Sequence, residues 1–213
     1  MCGIFGYIGE KRAAPLVLAG LQRLEYRGYD SFGLAVLDRD LWVWKKEGRI
    51  SRQSPEVSRR RGRTAIGHTR WATHGEPSDA NAHPHTDCKG SIAIVHNGII
   101  ENYASLRREL SSRGHAFRSE TDTEAIVHLI EEQYHGDLLS AVMAVLPRLE
   151  GSYALLAIAE GYEGIVAARQ GSPLVIGISD RACIAASDVT ALLDHTDRVV
   201  YLEDGDVATL LPS

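Results

Sequence analysis

The sequence predicts an α+β fold in which antiparallel sheets pack with segregated helices. β-Type segments come in two groups, one before residue 100 and one after Gly151, and three helical segments lie between the groups. Most connections between strands within a group are too short for the crossovers that parallel strands require. These two observations favour antiparallel pairing over a doubly wound parallel sheet.

The first group of strands begins almost at the terminus. Residues 3–9 (GIFGYIG) are β-rich and flanked by glycine, and apolar residues at helical spacing predict a helix over 12–25. Further strands are predicted at 32–38, 41–46 and 64–67.

Two polar stretches interrupt this group. Residues 51–63 contain the arginine cluster Arg59–Arg63, which suits a phosphate-binding loop but is more typical of a solvated loop or a short surface helix. Residues 68–85 show no periodicity and predict a long loop, and such loops inside compact domains are often functional.

The middle of the chain predicts a strand and then helices. The strand covers 91–96 and ends in Asn97-Gly98, a dipeptide favoured in turns. Helices are expected at 102–113, 122–135 and 138–149, with Thr121 or Asp122 as a cap of the second. Strands are predicted after Gly151 at 152–159, 164–168, 174–178, 183–186, 198–202 and 206–210, with a short helix near 189–194.

Composition excludes several classes of protein. The 213 residues suit one domain or two small ones, and 23 basic against 28 acidic residues give a net charge of −5, a poor match for nucleic acid. No apolar run approaches the roughly 18–20 residues of a membrane span, and the start does not resemble a secretion signal. Three widely spaced cysteines without C-x-x-C argue against disulfides and zinc ribbons, so we expect a cytoplasmic protein.

Cys2 is the first residue with potential chemistry. If Met1 is removed, the mature chain begins with a thiol and a free α-amine on one residue. An α-amine with a pKa of about 7.7–8.0 is partly unprotonated at neutral pH and can accept the thiol proton. The alternative is that position 2 simply holds a small residue, although the glycine-flanked strand that follows would fix the terminus in a sheet.

The segment from His68 to Gly75 places several polar side chains at one strand end. The planar guanidinium of Arg70 suits bidentate binding of a carboxylate, and the alternative is a surface salt bridge. For Trp71 the alternative to a functional role is packing in the core. The H-x-H pair His83 and His85 raises the question of a metal. No acidic partner has metal-site spacing, so we expect neither a metal nor a cofactor.

Two further sites each allow a functional and a structural interpretation. An asparagine amide and the next backbone N–H, at Asn97 and Gly98, suit an oxyanion hole or an ordinary hairpin turn. Asp122 suits either a helix cap or a partner for a substrate ammonium.

These segments occur in an order that resembles the class II glutamine amidotransferases, and within them the glutaminase domains of the glutamine–fructose-6-phosphate aminotransferases. The resemblance covers the whole chain. The segments that carry it are CGIFGYIG, LEYRGYDSFG, HTRWATHGEP, NAHPH, VHNGIIEN, SETDTE and GSPLVIG. A small departure is Phe32, where the family usually has a small residue.

The resemblance implies a four-layer αββα sandwich of two antiparallel sheets and a role for each site residue. Cys2 is the implied nucleophile, with its α-amine as base, and Asn97 and Gly98 form the implied oxyanion hole. Arg70 is implied to bind the glutamine α-carboxylate, with Thr73 and His74 nearby, and Asp122 is implied to bind the α-ammonium. Trp71 is the implied mobile lid and ammonia gate, and Arg27 is implied to position the N-terminus. The resemblance assigns no role to His83.

The implied activity is hydrolysis of L-glutamine to L-glutamate and ammonia through a γ-glutamyl thioester. Residues 1–213 match one glutaminase domain, and the sugar-isomerase domains that bind fructose 6-phosphate in the family are absent from this chain. The expected partners are L-glutamine and such a domain in cis or in trans, with a homo-oligomer left open and no nucleic acid or membrane. The alternatives are another class II amidotransferase or a non-catalytic regulatory module of the same fold.

Overall fold

The computed structural model describes residues 2–50, 55–72 and 75–212. The strands of these residues are β1 Gly3–Gly9, β2 Ser31–Leu37, β3 Leu41–Glu47, β4 Thr64–Arg70, β5 His85–Thr86, β6 Ile92–Ile100, β7 Gly151–Ala159, β8 Ile165–Gln170, β9 Val175–Ser179, β10 Ala182–Ala186, β11 Val199–Tyr201 and β12 Val207–Leu210. Their α-helices are α1 Ala13–Arg23, α2 Pro55–Arg59, α3 Tyr103–Ser112, α4 Thr123–Gln133 and α5 Leu138–Val145. Short 3-10 turns follow α1 and α5 and precede β11.

The strands form two sheets in which neighbouring strands pair antiparallel. One sheet has seven strands in the order β11-β9-β10-β1-β4-β2-β3, and the other has five in the order β12-β8-β7-β6-β5. The expectation of antiparallel sheets with segregated helices is confirmed.

Three buried apolar layers hold the sheets and helices together. Helix α1 packs on β1 and β4 of the seven-stranded sheet, while α4 and α5 pack on the five-stranded sheet. A third cluster, including Ile4, Ile66, Val95 and Leu156, lies between the two sheets. The order helix, sheet, sheet, helix is the expected four-layer sandwich.

Most sequence-predicted elements are present within a few residues of their expected bounds, but the turn at Asn97-Gly98 is wrong. Strand β6 continues through both residues to Ile100, because they pair with Ala154 and Tyr153 of β7. Strand β4 likewise extends to Arg70, into the segment expected to be a loop.

The cap expected at Asp122 is also wrong. Asp122 occupies the N-cap position of α4, but its side chain makes no capping hydrogen bond. The Thr121 hydroxyl instead contacts Ser119 Oγ and the His85 ring at 3.0 Å each. Both side chains near the start of α4 are therefore directed to other segments.

Three further features that the sequence singled out can be compared with the structure. A short surface helix within the arginine-rich stretch is confirmed over Pro55–Arg59, while 51–54 lie outside the described residues. Phe32 is buried and packs its ring against Trp44, with centroids 5.2 Å apart. The helices in the described part of the chain include none that qualifies by length and hydropathy as a membrane span.

The fold positions the start of the chain in the middle of a sheet. Strand β1 lies between β10 and β4, and Gly3 pairs with Thr69 near the end of β4. Cys2 therefore lies beside the point where β4 ends at Arg70, and chain termini fixed in this way are less free to fray.

Candidate active site

The Cys2 thiol is held beside the backbone of Trp71. Its sulfur accepts the Trp71 N–H at 3.2 Å and lies 3.5 Å from the Trp71 carbonyl oxygen. Burial raises the pKa of the Cys2 thiol, although the hydrogen bond from Trp71 and the charge of Arg70 act in the opposite direction. A thiol with a raised pKa is mostly protonated at neutral pH and needs a base before it can act as a nucleophile.

Two side chains hold the carbonyl oxygen of Cys2. Asn97 Nδ2 donates to it at 3.0 Å and Arg27 Nε at 3.2 Å. The Arg27 guanidinium is itself fixed by an ion pair of 2.9 Å with Asp188. These contacts set the direction in which the Cys2 backbone and side chain leave β1.

The amide of Asn97 has a fixed orientation. Its oxygen faces His68 Nε2 at 3.0 Å, and the same ring nitrogen lies 3.1 Å from the His96 carbonyl oxygen. With two acceptors in reach, Nε2 carries the proton and donates. Burial lowers the pKa of His68 to about 3, so the ring is neutral at physiological pH. The Asn97 amino group, which has two N–H donors, therefore points towards Cys2.

Gly98 adopts a backbone conformation that other residues rarely reach. Its φ is 129°, and a Cβ atom at this position would lie 2.0 Å from the Ser152 carbonyl oxygen. The close approach of β6 to β7 thus requires glycine immediately after Asn97.

A buried cation and a buried anion lie near the thiol. Arg70 is 4% exposed, and its guanidinium donates to the carbonyl oxygens of Gly75 at 3.0 Å and Glu76 at 3.4 Å. Burial lowers the pKa of Arg70, while the charges of Cys2 and Asp122 oppose the shift. Asp122 is 6% exposed and accepts the Ile100 N–H at 2.9 Å.

These groups line one narrow cavity of about 20 Å³. Its walls are Cys2, Arg70, Trp71, His83, His96, Gly98, Thr121, Asp122 and Thr123. A thiol, a guanidinium and a carboxylate facing one small cavity suit a ligand that has both a cationic and an anionic end.

A second cavity shares Cys2, Trp71 and Gly98 with the first and extends to Ser172 and Pro173. Trp71 is 44% exposed, and its ring meets the edge of Tyr29 with centroids 5.5 Å apart. Trp71 therefore lines both cavities and is partly exposed to solvent.

The structure brings most of the sequence-predicted residues together. Those placed at or beside the thiol are Cys2, Arg27, Arg70, Trp71, Asn97, Gly98 and Asp122. Thr73 and His74 lie outside the described residues. His83 lies in the cavity wall, is buried, and its Nδ1 lies 3.1 Å from His68 Nε2.

Sequence reasoning missed three supporting residues. His68 orients Asn97, Asp188 fixes Arg27, and Asp30 accepts the Ala72 N–H at 2.9 Å, which holds the backbone beyond Arg70. Asp30 lies inside the segment LEYRGYDSFG, but no sequence pattern links Asp188 to residue 27.

Comparison with known proteins relates the chain to glutamine amidotransferases. The sequence model of the glutamine amidotransferase domain matches residues 55–212. The chain is 53% identical over 213 residues to a glutamine–fructose-6-phosphate aminotransferase (isomerizing) of Thermus thermophilus, and 54% identical over 214 residues to one of Thermotoga maritima. Each match covers 99% of this chain but 35% of the relative, so the chain spans about a third of these relatives' length.

Solved structures show the same fold. A glutamine phosphoribosylpyrophosphate amidotransferase of B. subtilis superposes with a TM-score of 0.83 at 31% identity, over 98% of this chain and 47% of that one. A predicted glutamine amidotransferase of Pseudomonas aeruginosa has a TM-score of 0.56 at 13% identity, over 99% and 92%, which supports the fold alone.

Proposed function

The chain belongs to the class II glutamine amidotransferases, and from this premise we propose that it hydrolyses L-glutamine to L-glutamate and ammonia with Cys2 as the nucleophile. The observation that carries the proposal is the cavity beside Cys2. It presents a buried guanidinium at Arg70 and a buried carboxylate at Asp122 to the same small space. Glutamine has a carboxylate and an ammonium on one carbon, and these two side chains would pair with them.

The α-amine of Cys2 is the proposed base. Once Met1 is removed, the amine takes the thiol proton, directly or through one water. Burial of the thiol makes this step necessary, because the raised pKa leaves little preformed thiolate. Asn97 and Arg27 hold the Cys2 carbonyl, and this fixes the amine and the thiol relative to the cavity.

The thiolate then forms a bond to the side-chain carboxamide carbon of glutamine. The second N–H of the Asn97 amino group and the backbone N–H of Gly98 stabilise the negative oxygen of the tetrahedral intermediate. The protonated Cys2 amine gives its proton to the leaving nitrogen, and ammonia departs. Water, activated by the same amine, cleaves the γ-glutamyl thioester and releases glutamate.

The remaining side chains bind and enclose the substrate. Thr73 and His74 are proposed to assist Arg70 at the α-carboxylate. Trp71 is proposed to close over bound glutamine and to separate the two cavities, which fits its exposed ring between them.

The destination of the ammonia is proposed from the relatives. Proteins about 50% identical to this chain are named glutamine–fructose-6-phosphate aminotransferases, and they are about three times as long. We propose that a sugar-isomerase domain, in cis or in trans, uses the ammonia to convert fructose 6-phosphate to glucosamine 6-phosphate. The second cavity beside Cys2 is the proposed exit for the ammonia.

A substrate panel tests the glutaminase proposal. Protein whose intact mass shows loss of Met1 is given glutamine, asparagine, N-acetylglutamine or glutamine α-amide, and ammonia release is measured. We expect hydrolysis of glutamine, strong loss with the two capped analogues, and none in Cys2→Ala. Without a sugar-isomerase domain, the chain should make no glucosamine 6-phosphate.

The panel also separates the alternatives. Hydrolysis of another amide in preference to glutamine would indicate a different N-terminal-cysteine hydrolase. No hydrolysis by the folded, Met1-free chain would favour a non-catalytic module. Full activity in a chain that carries an uncleaved peptide before Cys2 would contradict the α-amine mechanism.

A further inference from the structure

A second group of reactive side chains lies outside the walls of the cavity beside Cys2. Cys88 lies in the turn between β5 and β6, His115 lies beyond the end of α3, and His128 and Glu131 lie on α4. The ligand atoms of these four residues are all within 4.8 Å of one another. Three separate chain segments thus converge on one point, and the roles proposed above use none of these residues.

Four of the six distances between the ligand atoms of this group are close to those of a tetrahedral metal site. Cys88 Sγ lies 3.5 Å from His115 Nδ1 and 3.7 Å from His128 Nδ1, and each of these nitrogens lies 3.1 Å from Glu131 Oε2. Zinc bonds of about 2.3 Å to sulfur and about 2.0–2.1 Å to nitrogen and oxygen give tetrahedron edges of roughly 3.5 Å for S–N and roughly 3.3 Å for N–O. These four edges agree with the ideal values to about 0.2 Å, and the other two, Cys88 Sγ to Glu131 Oε2 and His115 Nδ1 to His128 Nδ1, are no longer than 4.8 Å.

The donor types also suit zinc. A thiolate and two imidazoles favour zinc over magnesium or calcium, which prefer oxygen ligands. One thiolate and one carboxylate carry two negative charges, which balance a divalent ion in a partly buried place. His128 and Glu131 are three residues apart on α4, so they project from the same face of the helix.

The outer nitrogens of both rings face carboxylates. His115 Nε2 lies 3.4 Å from Glu132 Oε1, and His128 Nε2 lies 3.9 Å from Glu124 Oε1. Metal-bound histidines commonly direct their second ring nitrogen at a carboxylate, which fixes the ring and strengthens the ligand. Both rings of this group therefore present Nδ1 to the shared centre, with a carboxylate on the outer side of each, although the 3.9 Å separation of His128 Nε2 from Glu124 is too long for a hydrogen bond.

We propose that Cys88, His115, His128 and Glu131 bind one Zn²⁺ ion. Four protein ligands leave no open position for substrate, so the site is structural and not catalytic. It would tie the β5–β6 turn and the segment after α3 to α4, the helix that begins beside Asp122. The competing interpretation is a metal-free hydrogen-bond network, in which Glu131 accepts from both rings and from the Cys88 N–H at 3.1 Å.

Metal analysis and cobalt substitution test the proposal. The chain is expressed without a histidine tag and dialysed, and its zinc content is measured by mass spectrometry. We expect one zinc per chain. After removal of zinc with a chelator, added Co²⁺ should give the visible absorption of a tetrahedral ion and a thiolate-to-cobalt charge-transfer band.

Matched variants assign the signal to these residues. Cys88→Ser should abolish the charge-transfer band, and Glu131→Gln, which keeps the side-chain size, should weaken zinc binding by at least about tenfold. Cys183→Ser is the control and should keep both signals. If a ligand variant does not fold, the thermal melt of the unmodified chain tests the proposal instead. Zinc that is added back to the chelator-treated chain should raise its Tm. Absence of zinc and of the cobalt bands, or a charge-transfer band that persists in Cys88→Ser, would overturn the proposal.

Discussion

Removing the negative charge of Asp122 by mutation tests whether this residue binds the substrate or only stabilises the fold. The Asp122 carboxylate accepts the Ile100 N–H at 2.9 Å, is 6% exposed and does not cap α4. Asp122→Asn keeps the volume and an oxygen for the Ile100 N–H but loses the negative charge. Asp122→Ala loses both. The pair of variants therefore distinguishes pairing with a glutamine ammonium from a purely structural role.

The expected magnitudes follow from the two contacts. A hydrogen bond to a charged group contributes about 1.5–3 kcal/mol, which corresponds to a change of about 10- to 150-fold in kcat/KM. The ammonium keeps its charge through the reaction, so the loss in Asp122→Asn should be mainly an increase in KM. Asp122→Ala also leaves the buried Ile100 N–H without a partner, at a cost of about 1–3 kcal/mol in stability. At about 2–4 °C per kcal/mol for a chain of this size, its Tm should fall measurably.

Steady-state glutaminase kinetics and thermal melts on both variants provide the assay. We expect Asp122→Asn to melt close to the unmodified chain with a raised KM, and Asp122→Ala to show the same kinetic defect and a lower Tm. An unchanged KM in well-folded Asp122→Asn would refute ammonium binding at this residue and leave only the contact with β6.

Three other outcomes are expected. Asn97→Ala should lower kcat by about 10²–10³ with a small effect on KM, because its N–H acts on charge that develops in the transition state; near-normal kcat in the folded variant would defeat that assignment. Gly98→Ala should unfold or lose several kcal/mol, since its Cβ would lie 2.0 Å from the Ser152 carbonyl oxygen; an unchanged thermal melt would show that β6 and β7 do not approach so closely. The acidic limb of the pH dependence of kcat/KM should follow protonation of the α-amine, near pH 7.7–8.0. Burial raises the pKa of the Cys2 thiol, so the thiol needs the free amine as its base, and activity should be lost as the pH falls and the amine is protonated. A plateau that extends to pH 5 would indicate a preformed thiolate instead.

The fold was largely predictable because its strands are short, strongly patterned and joined by brief connections. The helix α1 and the strands β1, β2 and β7 lie within about two residues of their expected bounds. Strand β6 was predicted too short, since Asn-Gly usually marks a turn. In this fold the pairing of Asn97 and Gly98 with β7 overrides the local preference.

The site was predictable where its residues lie within motifs and unpredictable where support comes from distant segments. The contact between Arg27 and Asp188 joins residues 161 positions apart, and the bond between Asn97 and Cys2 joins residues 95 apart. The cysteine–histidine–glutamate group was missed for the same reason. Its H-x-x-E pair on α4 is a weak signal until the fold places Cys88 and His115 beside it.

Covalent labelling tests the central claim most directly. Met1-free protein is treated with a glutamine-like diazoketone, and the label is located by intact mass and peptide mapping. The account predicts one label per chain, on Cys2, with loss of glutaminase activity in proportion and protection by glutamine. A label on Cys88 or Cys183, or full labelling of Cys2 without loss of activity, would contradict the assignment of Cys2 as the nucleophile.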